Sequence, residues 1–208
     1  MMRNKMAILG TILTIMATGD MLFGELANKG FEETVKAPEK IYEGAEKKNF
    51  KIEKPSYLPA NWILNLGTRN SRDGEYRMIS DSSLAHSGDR FIYLKGRMYN
   101  SKVITVKPGD TLQITIYARD PDKKDVFCEL YMYRDADEKG STYMGTKSVD
   151  MLSPEFSTRA KAEWTKHTGS ISIPEKVRGS VITDVRIVLA SDTGAYFDDV
   201  ELEIKKAE

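Results

Sequence analysis

Apolar residues along this chain fall mostly at every second position, in short runs cut off by turn-forming clusters. Between Val106 and Asp120, Leu112, Ile114, Ile116 and Ala118 alternate with Gln113, Thr115, Tyr117 and Arg119. Successive side chains of a strand point to opposite faces, so this pattern predicts a strand with one face in a core and the other polar. The next run repeats it, with Cys128, Leu130 and Met132 on one face and Glu129, Tyr131 and Tyr133 on the other. Val185, Ile187 and Leu189 form a third inward set, and Val200, Leu202 and Ile204 a fourth. Turn residues separate the runs at 70–74, 87–89, 108–110, 120–125, 135–140 and 192–194. Short strands spaced in this way, without a long helical period, predict an all-β fold with two packed sheets. The stretch from Val35 to Tyr57 differs, being rich in Lys, Glu and Pro with no sustained apolar period. It is expected to be a charged, exposed insertion at about 35–57 rather than part of the core.

A chain of 208 residues fits one domain, here spanning 25–208, preceded by a segment of different character. That segment, 1–24, carries Arg3 and Lys5 before an apolar run from Met6 to Met16 and the smaller Ala17, Thr18 and Gly19. It predicts an export signal, or an N-terminal anchor if left uncleaved, and hence a secreted, periplasmic or cell-surface protein. Asp20 interrupts the run before it reaches the roughly twenty apolar residues of a membrane span. The 31 basic and 31 acidic residues cancel, so no net field draws in nucleic acid or an anionic membrane. The one cysteine, Cys128, lies in phase with Leu130 and Met132, and is expected to be a buried small hydrophobe.

Four segments in order carry a family resemblance: NKGFEE (Asn28 to Glu33), DSSLAHSGDRFIYL (Asp81 to Leu94), VKPGDTLQITIYARD (Val106 to Asp120) and GAYFDDVELEI (Gly194 to Ile204). Together they resemble the carbohydrate-binding modules of the galactose-binding-like jelly-roll class, particularly families four, nine, sixteen and twenty-two. The resemblance implies a jelly-roll β-sandwich of two antiparallel sheets. It also implies a structural calcium ion held by the main-chain carbonyl of Gly30, the carboxylate of Glu32, the carbonyl at Asp89 and the carboxylate of Asp198. Hard oxygen donors suit calcium, and Asp198, in phase with inward Val200 and Leu202, would need a partner. Strand alternation turns Asp199 the other way. Equally, Glu32 and Asp198 are compatible with ordinary strand-end acids paired with Lys or Arg. His86 is expected to pack and hydrogen-bond within its turn rather than act as a base, and Trp164 to pack in the core or at its rim.

In the resembling modules the ligand groove is the outer face of one sheet. Tyr117, Tyr131 and Tyr133, with Arg119 and Glu129 between them, would form that face here if their two strands are neighbours, and Trp62 falls where such modules often carry a Trp. Tyrosine offers a flat amphipathic ring to the C–H face of a pyranose. The same tyrosines also serve as cross-strand pairs that stabilise an exposed sheet without binding anything. No nucleophile elbow, paired-His metal motif, P-loop or dinucleotide turn is found, so the chain is expected not to be an enzyme. The function expected is an exported, non-catalytic glycan-binding protein. The alternative is a structural or adhesive surface protein that uses the same sandwich to contact other surface proteins.

Overall fold

The alternating runs become strands in the computed structural model, which describes residues 26, 29–66, 73–119, 126–134, 142–149, 151–152 and 163–207. The expected export segment lies outside these residues. The elements are β1 (Thr34–Lys36), α1 (Glu39–Lys47), β2 (Lys51–Ile52), β3 (Tyr57–Pro59), β4 (Trp62–Leu64), β5 (Glu75–Ser80), β6 (Arg90–Asn100), β7 (Ile104–Thr105), β8 (Thr111–Arg119), β9 (Phe127–Arg134), β10 (Thr142–Val149), β11 (Met151–Leu152), β12 (Thr165–Ser172) and β13 (Asp184–Lys205).

Two long strands organise everything else. The first part of β13 pairs with β9 and with the C-terminal half of β6, which in turn pairs with β4, while β10 closes the far side of β9. We call this the first sheet. The last part of β13 pairs with β8 and with the N-terminal half of β6, and the row continues through β12 and β11 on one side and β5 and β2 on the other. This is the second sheet. All of these pairings are antiparallel except the two-residue contact of β2 with β5. The chain is thus an all-β jelly-roll sandwich whose sheets share β6 and β13.

The changeover is built into the backbone. The β6–β13 register shifts between Ser191 and Ala195, with Gly96 opposite at φ 141° and Gly194 at φ 109°. Such bulges increase local twist and let one strand turn from sheet to sheet. A Cβ at Gly194 would overlap the Tyr93 hydroxyl as well as strain that backbone. Gly194→Ala is therefore expected to destabilise the protein by roughly 1–3 kcal/mol in urea denaturation, and a variant as stable as the parent would show that the corner is not tightly packed.

The core lies between the sheets. Leu112, Ile114, Ile116 and Ala118 of β8 meet Cys128, Leu130 and Met132 of β9, with Val185, Ile187, Leu189, Val200, Leu202 and Ile204 of β13, all buried. Each such aliphatic side chain contributes about 1.5–3 kcal/mol on burial. The faces predicted from alternation agree with this, and Cys128 is a buried free thiol.

The insertion at 35–57 differs from expectation. It contains α1, and it buries Ala37, Ala45, Phe50 and Ser56. The helix ends on Asn49 at φ 53°, with Phe50 N–H donating to Ala45 O at 2.8 Å and Asn49 N–H to Glu46 O at 3.1 Å. This pair of bonds satisfies carbonyls left open at a helix end and needs a residue that tolerates the left-handed region. Glu39 in the first turn and Lys47 in the last complement the helix dipole.

Candidate functional site

The outer face of the first sheet carries a cleft of about 500 Å³ lined by Asn65, Arg97, Tyr99, Glu129, Tyr131, Tyr133, Tyr143 and Thr146. Strand register places these residues together. Thr146 lies opposite Tyr131 and Tyr143 opposite Tyr133, while Glu129 and Tyr99 flank Val188 on either side of β13. The rings form a chain of tilted and edge contacts, Tyr99 to Tyr131 at 5.6 Å, Tyr131 to Tyr143 at 5.8 Å and Tyr143 to Tyr133 at 5.9 Å. Asn65 donates to the Tyr131 hydroxyl at 2.8 Å. Arg97 is paired twice with Glu129, at 3.3 and 3.4 Å, and reaches Asp192 at 3.4 Å. Burial raises the hydroxyl pKa of Tyr131 and of Tyr133, which keeps both protonated and able to donate at neutral pH. Tyr143 stands half exposed at the rim, with 50% of its surface accessible.

Glu129, Tyr131 and Tyr133 were expected on such a face and share it. Tyr117 and Arg119 do not join them. Their strand, β8, pairs with the far part of β13 in the second sheet, so β8 and β9 are not neighbours. Trp62 is not on this face either; it is buried at 3% exposure and packs edge-on against Phe31 at 5.5 Å. The alternation of β6 beyond Leu94 would have pointed to Arg97 and Tyr99. Asn65 and Tyr143 carry no such signal, since one follows a three-residue strand and the other lies at a register shift.

Tyr117 and Arg119 belong to a second cluster, on the outer face of the second sheet. Arg77, Tyr93, Tyr196 and Arg119 lie opposite one another across β5, β6, β13 and β8. Arg77 covers Tyr93 at 4.5 Å, and Arg119 covers Tyr196 at 4.7 Å and Trp164 at 5.2 Å. Trp164 packs edge-on against Phe91 and donates from its indole to Leu84 O at 2.9 Å. These contacts fasten the turn between β5 and β6 to the sheet. His86 in that turn stacks on Tyr117 at 3.7 Å, consistent with a packing residue.

The acids expected around a cation meet at this same turn. Glu32 Oε1 accepts from the backbone N–H groups of Asp89 and Arg90 at 2.9 and 3.1 Å, and its carbonyl accepts from the Arg90 guanidinium. Gly88, at φ 59°, has no room for a Cβ, which would overlap the Glu32 carboxylate. Asp89 O accepts from Asp81 N–H at 2.9 Å. Asp198 is fully buried, with Oδ2 accepting from His86 N–H at 2.9 Å and Ser87 N–H at 3.3 Å, and Oδ1 from Asp199 N–H at 2.9 Å. Gly30 packs close to Asp199, to whose Oδ1 the Ser87 hydroxyl donates at 2.9 Å.

Two expectations are corrected here. Asp198 does not face inward with Val200. The register shifts between them, so Asp198 lies opposite Tyr117 on the outer face and is buried by the overlying turn. Asp199, at φ 40°, does not point away; its carboxylate lies 2.6 Å from His86 Nδ1. Burial and the neighbouring Asp199 charge push the Asp198 carboxyl from its ordinary 3.8 up to about 6, against the lowering effect of the three N–H donors. Among the described residues no three His, Cys, Asp or Glu side chains are grouped so as to hold a metal ion, so a cation here would depend on main-chain carbonyls as well.

No protein-family model matches the chain, and no curated protein matches it significantly. Solved structures similar to it include a cyclase from Fischerella sp. TAU, at 13% identity over 90% of this chain and 99% of that one, with a TM-score of 0.48. The CBM22-1 xylan-binding domain from Paenibacillus barcinonensis matches at 13% identity over 91% and 97%, with a TM-score of 0.43. A CBM61 module in complex with β-1,4-galactotriose matches at 19% identity over 69% and 88%, with a TM-score of 0.33. The expectation that the chain is not an enzyme is withdrawn, because Stig cyclases stand among the structures similar to it. No helix of the described residues is long and apolar enough to cross a membrane.

Proposed function

We propose that this protein binds glycan in the tyrosine cleft of the first sheet. The observation that carries this reading is the convergence of Tyr99, Tyr131, Tyr133 and Tyr143 with Asn65, Arg97 and Glu129 around one open cleft. The rings offer apolar faces to pyranose C–H groups, while the amide, guanidinium and carboxylate offer directed hydrogen bonds to hydroxyls. Purely structural tyrosine pairs would not need the half-exposed Tyr143 or a cleft. Affinity electrophoresis against a panel of soluble polysaccharides tests the reading. Tyr143→Ala and Tyr133→Ala are each expected to weaken binding roughly tenfold, the loss of about 1.4 kcal/mol. Absence of retardation by every polysaccharide tested would overturn it, and a stable oligomer in light scattering would then favour the adhesive alternative.

A structural calcium ion at the β5–β6 turn is part of the same proposal. Gly30 O, Glu32, Asp89 O and Asp198 would hold it; calcium accepts six to eight oxygens of this kind. What supports it is the chemistry of Asp198, a buried carboxylate with a like-charged neighbour and no ion pair to Lys or Arg among the described residues. The ion would supply positive charge and tie the N-terminal segment to the end of β13. An exported location, outside the cytosol, is part of the same proposal, and the basic-then-apolar N-terminal sequence supports it.

A further inference from the structure

We propose that the glycan bound in the cleft is acidic, and that Arg186 takes its carboxylate. The inference rests on the glycan-binding reading above and names the ligand class of that site. Arg186 lies directly opposite Tyr131 across the β9–β13 pairing, and so on the same face as the cleft. Its guanidinium sits between two cleft rings, 5.5 Å from Tyr99 and 5.4 Å from Tyr133.

The two arginines of this face are in different states. Arg97 is held by Glu129 and Asp192, and its charge belongs to the floor of the cleft. Arg186 forms no salt bridge among the described residues, and its buried Nε has no hydrogen-bond acceptor. A cation flanked by apolar ring surface and without a salt-bridge partner among the described residues favours an anion brought by the ligand. The guanidinium presents a rigid planar fork that fits a carboxylate through two parallel hydrogen bonds. The rings on either side are suited to the flat faces of the sugar that bears it. A uronate residue supplies both features in one unit, with its carboxylate projecting from the pyranose that the tyrosines would stack on.

Titration calorimetry on the full chain tests this with galacturonan, alginate, glucuronoxylan and hyaluronan, each beside its carboxyl-reduced neutral counterpart, and with a sulfated galactan free of uronate. At least one acidic form is expected to bind about tenfold or more tightly than its neutral partner, with the margin shrinking as salt rises. Arg186→Gln should abolish that margin, so that the variant binds acidic and neutral forms equally. Arg186→Lys, which keeps the charge without the fork, should retain only the salt-sensitive part; melting curves of both variants establish that they fold. Equal affinity for acidic and neutral forms, or an unchanged margin in Arg186→Gln, overturns the inference and leaves the glycan-binding reading intact. Preference for the sulfated galactan over every uronate overturns the carboxylate assignment. Binding to none of the polysaccharides removes both.

Discussion

In the presence of chelator, lowering the pH from about 7.5 to about 4.5 is expected to raise the stability of the parent relative to Asp198→Asn by about 2 kcal/mol. A carboxyl whose pKa is about 6 folded and 3.8 unfolded binds more protons in the native state between those values. Its contribution is therefore complete below the unfolded value and is lost as pH rises through about 6. Calcium should act in the opposite sense. It competes with the proton for Asp198, so it should stabilise the parent most above pH 6, by roughly 2.7 kcal/mol at a hundred times its dissociation constant, and progressively less in acid. Asp199→Asn removes the like charge and should move the midpoint of the profile to lower pH. Denaturation at several pH values, with calcium and with chelator, measures all of this. Parallel pH profiles for parent and Asp198→Asn would sink the account of the buried carboxyl. A melting temperature indifferent to calcium and chelator at neutral pH would remove the ion.

Glu129→Ala is expected to cost roughly 2–4 kcal/mol, because it leaves the Arg97 guanidinium under-compensated in a largely desolvated position. The side chains of Arg97 and Glu129 are only 12% and 15% exposed. Burial alone would lower the Arg97 pKa, but the adjacent Glu129 carboxylate outweighs it and holds the guanidinium charged. Arg97→Met combined with Glu129→Leu should recover much of the loss, since it removes both charges and keeps the volume. Urea denaturation with unchanged m-values distinguishes a stability change from a broken two-state transition. A loss below about 0.5 kcal/mol in Glu129→Ala would mean that the pair behaves like an exposed one. Glycan affinity should fall in the single variant and stay low in the double, because both lack the Glu129 carboxylate that faces the cleft.

The face of each strand was legible in the sequence, since alternation is a local property: Leu112 to Ala118, Cys128 to Met132 and Val185 to Leu189 are inward as their phase requires. The all-β sandwich and the shared face of Glu129, Tyr131 and Tyr133 followed from the same source, whereas the jelly-roll class came from the resemblance of four segments to known modules. Which strands became neighbours did not. Tyr117 and Tyr131 have equivalent phases, yet β8 and β9 join different parts of β13, because strand pairing spans long sequence separations and alternation says nothing about partners. One extra residue at Asp198–Val200 placed Asp198 on the outer face and aimed Asp199 at His86, since a bulge inverts every phase beyond it. Tertiary contact also decided the insertion, where burial of Ala45 and Phe50 sets α1 against the core although its charged sequence carries too few apolar residues to announce a helix. The amino-acid order by itself determined which side of each strand seeks the core. Only the assembled sandwich decided which outward residues share a cleft, because that depends on the corner at 191–195 where β13 leaves one sheet for the other.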